Sequence, residues 1–315
     1  MKNRCLICMQ GTPSGQEYHE LCLQRLFGSK EVPLLDYSEK ELHSLAKRVV
    51  RQRVTIPGVQ AKLSMEIQQE AKETPKLTIV GLWGCFILKP PSNKWPELPE
   101  NEHCTLRMAD ELGIETVPYG LVHLKSGELA FVTRRIDRRD DGTKLAMEDM
   151  CQLTGRLTED KYKGSHEQIA KVIKQYTANP LFDIIRFYEV VLFSYLTGNG
   201  DMHLKNYSLF KDPKIGWKYA PSYDLLSTRL VIPEKSDPEE LALTVRGKKS
   251  RFKLDDFKQF GLDIGLTPKQ ITNEFYKLQK KKPDLESIIQ QSFLSKEMKE
   301  NYMKLLNERY GRLWG

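Results

Sequence analysis

Gly198-Asn199-Gly200-Asp201-Met202-His203-Leu204-Lys205-Asn206 is the stretch that decides how this chain is read. It follows the most apolar window of the sequence, Leu181 to Leu196, and precedes a short β-rich run at Tyr207 to Phe210. A polar loop between glycines, anchored to a rigid helix, exposes side chains while its scaffold fixes them. Asp201 and Asn206 stand five apart. That is the spacing of loops in which an aspartate accepts the proton of a substrate hydroxyl and an asparagine holds magnesium. One Asp-x4-Asn arises by chance in a chain this long, so its meaning depends on what surrounds it.

Three neighbours matter. Asp224 lies in Ala220-Pro221-Ser222-Tyr223-Asp224-Leu225-Leu226-Ser227, an acid among apolar residues. Such a carboxylate needs a partner, and magnesium is suitable; the competing reading is the cap of a helix starting at Leu225. Cys85-Phe86-Ile87-Leu88-Lys89 is an apolar strand ending in a lysine, either an inner-strand phosphate ligand or a charge guarding a sheet edge. Glu102, on the following helix, is placed to pair with Lys89. Thr55-Ile56-Pro57-Gly58-Val59-Gln60-Ala61-Lys62 is a Pro-Gly turn whose N–H groups suit an anion, or else a plain hairpin.

Around these motifs the pattern changes once. Ser38 and Glu41 form a capping box, and apolar residues recur at helical spacing to Arg53. Short β-rich runs follow: Val54–Ile56, Leu63–Ile67, Leu77–Val80, Cys85–Lys89, Tyr119–Leu124 and Leu129–Arg135, with one helix near Pro99–Leu112. A turn-rich run at Arg138 to Gly142 then separates the sheet from helical stretches at Met147–Leu153, Glu167–Tyr176, Leu181–Leu196, Lys253–Phe260, Pro268–Lys280 and Lys296–Tyr310. Strands near Tyr207–Phe210 and Trp217–Ala220 interrupt them, and Lys280-Lys281-Lys282 reads as a solvated helix end. The expected fold is α+β and two-lobed: a head over 1–35, a β-rich N-lobe over 36–137 and a mostly helical C-lobe over 138–315. A hinge near Asp137 would leave a cleft between the lobes.

Composition narrows the classes. The 315 residues are 40% hydrophobic and 29% charged, which excludes collagen, coiled coil and wholesale disorder. A net charge of +7 is a mild bias toward anionic partners. Neither a signal peptide nor a membrane span is apparent, so a soluble, cytoplasmic protein is expected. Three of the six cysteines crowd the amino terminus, where Cys5-x2-Cys8 and His19-x2-Cys22 have the ligand types and pair spacing of a structural zinc site. The plainer alternative makes these cysteines minor core residues.

Taken in order, the Thr55 loop, Phe86 to Lys89, Glu100 to His103, Arg134 to Arg138, Gly200 to Asn206 and Tyr223 to Ser227 resemble the HipA-like serine/threonine kinases of bacterial toxin–antitoxin systems. The resemblance implies a protein-kinase-like fold that phosphorylates a protein hydroxyl with ATP and Mg2+. The chain resembles most the short HipT form of three-component systems, in which a small protein, HipS, stands for a missing amino-terminal subdomain. Residue by residue, the resemblance makes Asp201 the catalytic base and Asn206 and Asp224 the magnesium ligands, with Lys89 on the α- and β-phosphates. Pro57, Gly58, Val59 and Gln60 become the phosphate loop, Arg134, Arg135 and Ile136 the adenine hinge, and Asp137 a ribose contact, while His203 and Tyr223 line the nucleotide site. Thr55 stands where the family autophosphorylates a serine, Pro57 replaces a second hydroxyl residue, and Arg134 replaces an acidic hinge residue. The implied partners are HipS-like and HipB-like antitoxins and a substrate such as an aminoacyl-tRNA synthetase, with no membrane or direct nucleic-acid contact. Two competing readings are a pseudokinase acting by interaction alone and a zinc-dependent nucleic-acid binder.

Overall fold

The computed structural model describes residues 4–51, 62–68, 74–80, 84–139 and 142–315. The chain forms two compact units, Met1–His103 with Val117–Lys144 and Cys104–Thr116 with Leu145–Gly315. The expected strand Val54–Ile56 and the whole Thr55–Ala61 loop lie outside the described residues.

The first unit contains α1 (Glu20–Phe27), α2 (Glu39–Arg51), β1 (Leu63–Gln68), β2 (Lys76–Ile79), β3 (Phe86–Lys89), α3 (Leu98–Glu111), β4 (Tyr119–His123) and β5 (Leu129–Arg134). The division between units falls within α3. The Ser38–Glu41 capping box starts α2: Glu41 accepts from both the backbone N–H and the hydroxyl of Ser38. The five strands form one antiparallel sheet in the order β2-β1-β3-β5-β4. Lys89 therefore lies on the middle strand, opposite Phe131 of β5, and the reading of it as an edge-strand charge does not hold.

The second unit contains β6 (Met147–Asp149), α4 (Met150–Leu153), α5 (His166–Tyr176), α6 (Pro180–Thr197), β7 (Ser208–Asp212), β8 (Gly216–Tyr219), α7 (Leu254–Asp263), α8 (Pro268–Gln291) and α9 (Lys296–Trp314). Helix α6 is its spine. Phe187, Tyr188, Val191, Leu192, Phe193, Tyr195 and Leu196 are buried, and each large apolar side chain contributes about 1.5–3 kcal/mol on leaving water. The helix packs on α5, α9 and β8.

Three expectations are corrected. Met147–Leu153 is not one helix: Met147, Glu148 and Asp149 pair with Phe210, Leu209 and Ser208 of β7, and Asp149 then caps α4 through Gln152. Helix α8 does not stop at Lys280 but runs through Pro283 to Gln291. A proline inside a helix costs about 3 kcal/mol, and burial of Leu285 and Ile289 beyond it offsets that cost. Lys281 is accordingly inside the helix, bonded to Glu111 and Asp284, and not at a solvated end. No helix among the described residues is long and apolar enough to cross a membrane.

Candidate active site

The Gly198–Asn206 loop is built on a helix end. Gly198 closes α6 in the left-handed conformation at φ 66°, and a Cβ there would stand 2.8 Å from Leu305 Cδ2 and 2.9 Å from the Cβ of Arg229. Only glycine makes this turn cheaply. Thr228 then braces the loop, its hydroxyl accepting from Gly200 N–H at 2.8 Å and donating to Gly198 O at 3.1 Å. Asn206 Nδ2 donates to the Asp201 carbonyl at 2.9 Å, which leaves Oδ1 as the Asn206 atom suited to a cation.

Asp201 presents its carboxylate with 43% of the side chain exposed. It accepts a hydrogen bond from the Tyr162 hydroxyl at 2.5 Å, and burial together with this carboxylate raises the Tyr162 phenol above its ordinary range. His203 stacks edge-on against Tyr162 with ring centroids 5.1 Å apart, and its Nε2 is 4.0 Å from Asp201 Oδ1. Burial pushes the His203 imidazole down to about 4, only partly offset by Asp201, so the ring is neutral near pH 7. Lys205 is bonded to Asp149, the residue that caps α4.

Asp224 is half-buried and sits at φ 55°, an uncommon conformation for a residue with a side chain. Leu225–Ser227 are not helical, so the reading of Asp224 as a helix cap is excluded. Tyr223 ties this segment to the Gly198–Asn206 loop: its hydroxyl donates to Lys205 O at 3.1 Å and lies 2.5 Å from Ser208 Oγ. The Asp224 charge also acts on His203. Asp201, His203, Asn206, Tyr223 and Asp224 are thus brought together in the second unit.

In the first unit, Lys89 and Glu102 form a buried ion pair with Nζ 2.5 Å from Oε1 and side-chain exposures of 2% and 1%. Lys89 Nζ also lies 5.2 Å from the centroid of the Phe131 ring. The pairing expected between strand lysine and helix glutamate is formed. Nearby in sequence, Asp137 accepts from Arg135 Nε at 2.9 Å and Nη2 at 2.8 Å and from Arg138 Nη1 at 2.9 Å. Burial opposes ionisation of Asp137, but the bond and charge of Arg135 and the charge of Arg138 prevail and hold its carboxyl below the usual range. The Arg134 and Arg135 backbone N–H groups donate to Pro118 O and Cys85 O. Pro57, Gly58, Val59, Gln60 and Thr55 lie outside the described residues.

The HipA-like C-terminal domain matches residues 54–287. The chain belongs to this family. It is 31% identical over 309 residues to a Haemophilus influenzae protein named "Putative kinase", covering 89% of this chain and 88% of that one. It is 29% identical over 194 residues to the serine/threonine-protein kinase toxin HipA of Shewanella oneidensis, covering 56% of this chain but only 43% of the toxin. Its fold is similar to a chain in the Shewanella oneidensis MR-1 complex of HipA, HipB and operator DNA, with a TM-score of 0.68 at 21% identity over 96% of this chain and 80% of that chain. The fold is therefore the two-lobed, kinase-like fold of HipA, with mixed helix and sheet as expected.

Three features of this HipA-like chain escaped the sequence. Tyr162 lies 39 residues before the aspartate it touches, in a segment with no periodic signal. Thr228 lies 28 residues beyond the glycine it braces. The Lys205–Asp149 pair spans 56 residues, and the misassigned helix at Met147–Leu153 concealed it.

Proposed function

We propose that this chain is an ATP- and Mg2+-dependent serine/threonine protein kinase acting as the toxin of a bacterial toxin–antitoxin system. One observation carries the reading: a hydroxyl already donates to Asp201, from Tyr162 at 2.5 Å. A serine or threonine hydroxyl taking that position would be oriented by the same carboxylate and would pass its proton to it. Phosphoryl transfer asks little else of a protein beyond positioning and charge.

Asn206 through Oδ1 and Asp224 through its carboxylate fit magnesium, a hard cation that prefers oxygen ligands. When bound, the ion would neutralise charge on the phosphates. Lys89 would bind the α- and β-phosphates, held extended by Glu102. Pro57, Gly58, Val59 and Gln60 would cover the phosphates, Arg134, Arg135 and Ile136 would meet the adenine and Asp137 the ribose, with His203 and Tyr223 lining the nucleotide site. A neutral His203 adds no positive charge of its own beside Asp201, which suits that carboxylate to act as a base.

Thr55 is the proposed autophosphorylation site; a phosphate there would add up to two negative charges beside the phosphate loop and oppose ATP. Mass spectrometry after incubation with MgATP should find Thr55 modified, and labelling elsewhere with Thr55 bare would contradict this. The solved Shewanella complex contains HipB and operator DNA. By extension a HipB-like antitoxin binds this chain and, if it is of the short HipT form, so does a HipS-like protein. The proposed substrate is a translation protein such as an aminoacyl-tRNA synthetase, met in the cytoplasm. Incubating host lysate with γ-labelled ATP and either this chain or Asp201→Asn tests the reading. Phosphoserine or phosphothreonine formed by the parent chain alone supports it. Equal labelling by both, or none while ATP still binds, overturns it and favours action by interaction.

A further inference from the structure

Four metal-ligating side chains converge in the head of the first unit. The Sγ atoms of Cys5, Cys8 and Cys22 and a ring nitrogen of His19 all lie within 4.8 Å of one another. Tetrahedral zinc, with bonds of about 2.3 Å to sulfur and 2.0–2.1 Å to nitrogen, holds its ligand atoms about 3.5–3.8 Å apart. His19 Nδ1 stands 3.3 Å from Cys8 Sγ and 3.9 Å from Cys22 Sγ, distances that bracket this range.

The backbone and the surrounding bonds prepare the same arrangement. His19 Nε2 donates to Gly11 O at 3.0 Å, which leaves Nδ1 with its lone pair toward the sulfurs; metal-bound imidazoles are commonly oriented this way. Cys5 and Cys8 sit on a tight turn, closed by Met9 N–H donating to Cys5 O at 2.9 Å with Met9 at φ 64°. His19 and Cys22 sit at the start of α1, where Cys22 N–H donates to His19 O at 3.0 Å. Three thiols cannot all be satisfied by one disulfide, and all six cysteines are free.

We propose that Cys5, Cys8, His19 and Cys22 form a structural zinc site that staples the head of the chain to the sheet and to α3. Four protein ligands fill a tetrahedral shell and leave no position for a reacting water, so the role is structural. The turn between Cys5 and Cys8 is the part that is docked. Leu6 O accepts from Leu121 N–H of β4 at 2.9 Å, and Ile7 O accepts from His103 Nε2 of α3 at 2.9 Å. Ile7 packs over Gly120, where a Cβ would come within 2.7 Å of Ile7 Cγ1. From the other ligand pair, Tyr18, adjacent to His19, donates to Leu121 O at 3.1 Å. The ion therefore closes a short segment that would not hold its shape alone, and binding energy becomes folding energy for this corner. His103 is the neighbour of Glu102, so the staple bears on the helix turn that carries the Lys89 partner.

Elemental analysis of the purified full chain, expressed with zinc in the medium, should find equimolar zinc. Cys8→Ser and Cys22→Ser should each lose it, and Cys151→Ala, in the second unit, should keep it. Because a serine variant that does not fold also loses its zinc, a second measurement uses the unsubstituted chain. Its zinc is exchanged for cobalt, and the spectrum should show the intense visible bands and sulfur-to-metal charge transfer of a tetrahedral thiolate site. Zinc far below equimolar in the parent chain, zinc retained by both serine variants, or the weak spectrum of octahedral cobalt would each overturn the proposal.

Discussion

Replacing Glu102 by leucine leaves the Lys89 ammonium buried without its carboxylate. The charges are 2.5 Å apart, and at an effective dielectric near 20 their attraction is about 7 kcal/mol. Desolvating each ion costs several kcal/mol, so the intact pair nearly breaks even, whereas removing one member of a buried pair costs about 3–5 kcal/mol. Against a typical total stability of about 5–15 kcal/mol, Glu102→Leu should bring the first unit close to unfolding. Lys89→Met should cost a similar amount. The double variant, with apolar side chains facing each other, should recover most of the loss, because buried pairs exchange for apolar groups at little cost. Its phosphoryl transfer should nevertheless stay lost, since the charge proposed to bind the phosphates is gone. Urea denaturation of the four proteins, with hydrogen exchange followed on peptides from β3 and α3, measures the cycle. Single losses below about 1 kcal/mol, or a double variant as unstable as the sum of the singles, would refute the reasoning.

Other consequences can be checked alongside. His203 and the fully buried His166 are both pushed down to about 4 by burial. Between that value and the ordinary 6.5 the unfolded chain binds more protons, so stability is complete above 6.5 and falls as pH drops toward 4, by about 3 kcal/mol for each ring. Urea midpoints measured across this window should fall, and His166→Asn should flatten the slope; a midpoint insensitive to pH there would contradict the burial argument. Tyr162→Phe should raise kcat/KM for a protein substrate by up to about tenfold, since a charged hydrogen bond that competes for Asp201 is removed; an unchanged or lower value would show that the phenol does not compete. Gly198→Ala should cost about 1–3 kcal/mol in thermal or urea unfolding, from the strained φ and the contacts a Cβ would make; an unchanged midpoint would count against the account of the loop.

Much of this was legible in the sequence because the physics was local. A continuous apolar run and helical spacing located β3, α3, α5 and α6 to within a residue or two, and a strand-end lysine followed by a helix glutamate, the pairing used in kinases, anticipated the Lys89–Glu102 pair. The Cys/His spacing likewise anticipated four atoms that the fold gathers in one corner. Where local signals misled, tertiary structure prevailed. Pro283 should end a helix, yet buried Leu285 and Ile289 carry α8 past it. Met147–Leu153 has helical composition, but pairing with β7 takes its first three residues into a strand. Asp224 could equally have capped a helix until its positive φ and the non-helical residues after it were seen. Tyr162 was invisible, because nothing in its neighbourhood signals contact with an aspartate 39 positions later.

The central claim is that Asp201 accepts the proton of a protein hydroxyl as phosphate is transferred from ATP. Single-turnover transfer from γ-labelled MgATP, measured for the parent chain and for Asp201→Asn with ATP binding followed in the same samples, tests it most directly. The account predicts unchanged nucleotide affinity and a rate reduced by about 10²–10⁴, the usual contribution of a general base. Transfer by Asp201→Asn at the parent rate would contradict it.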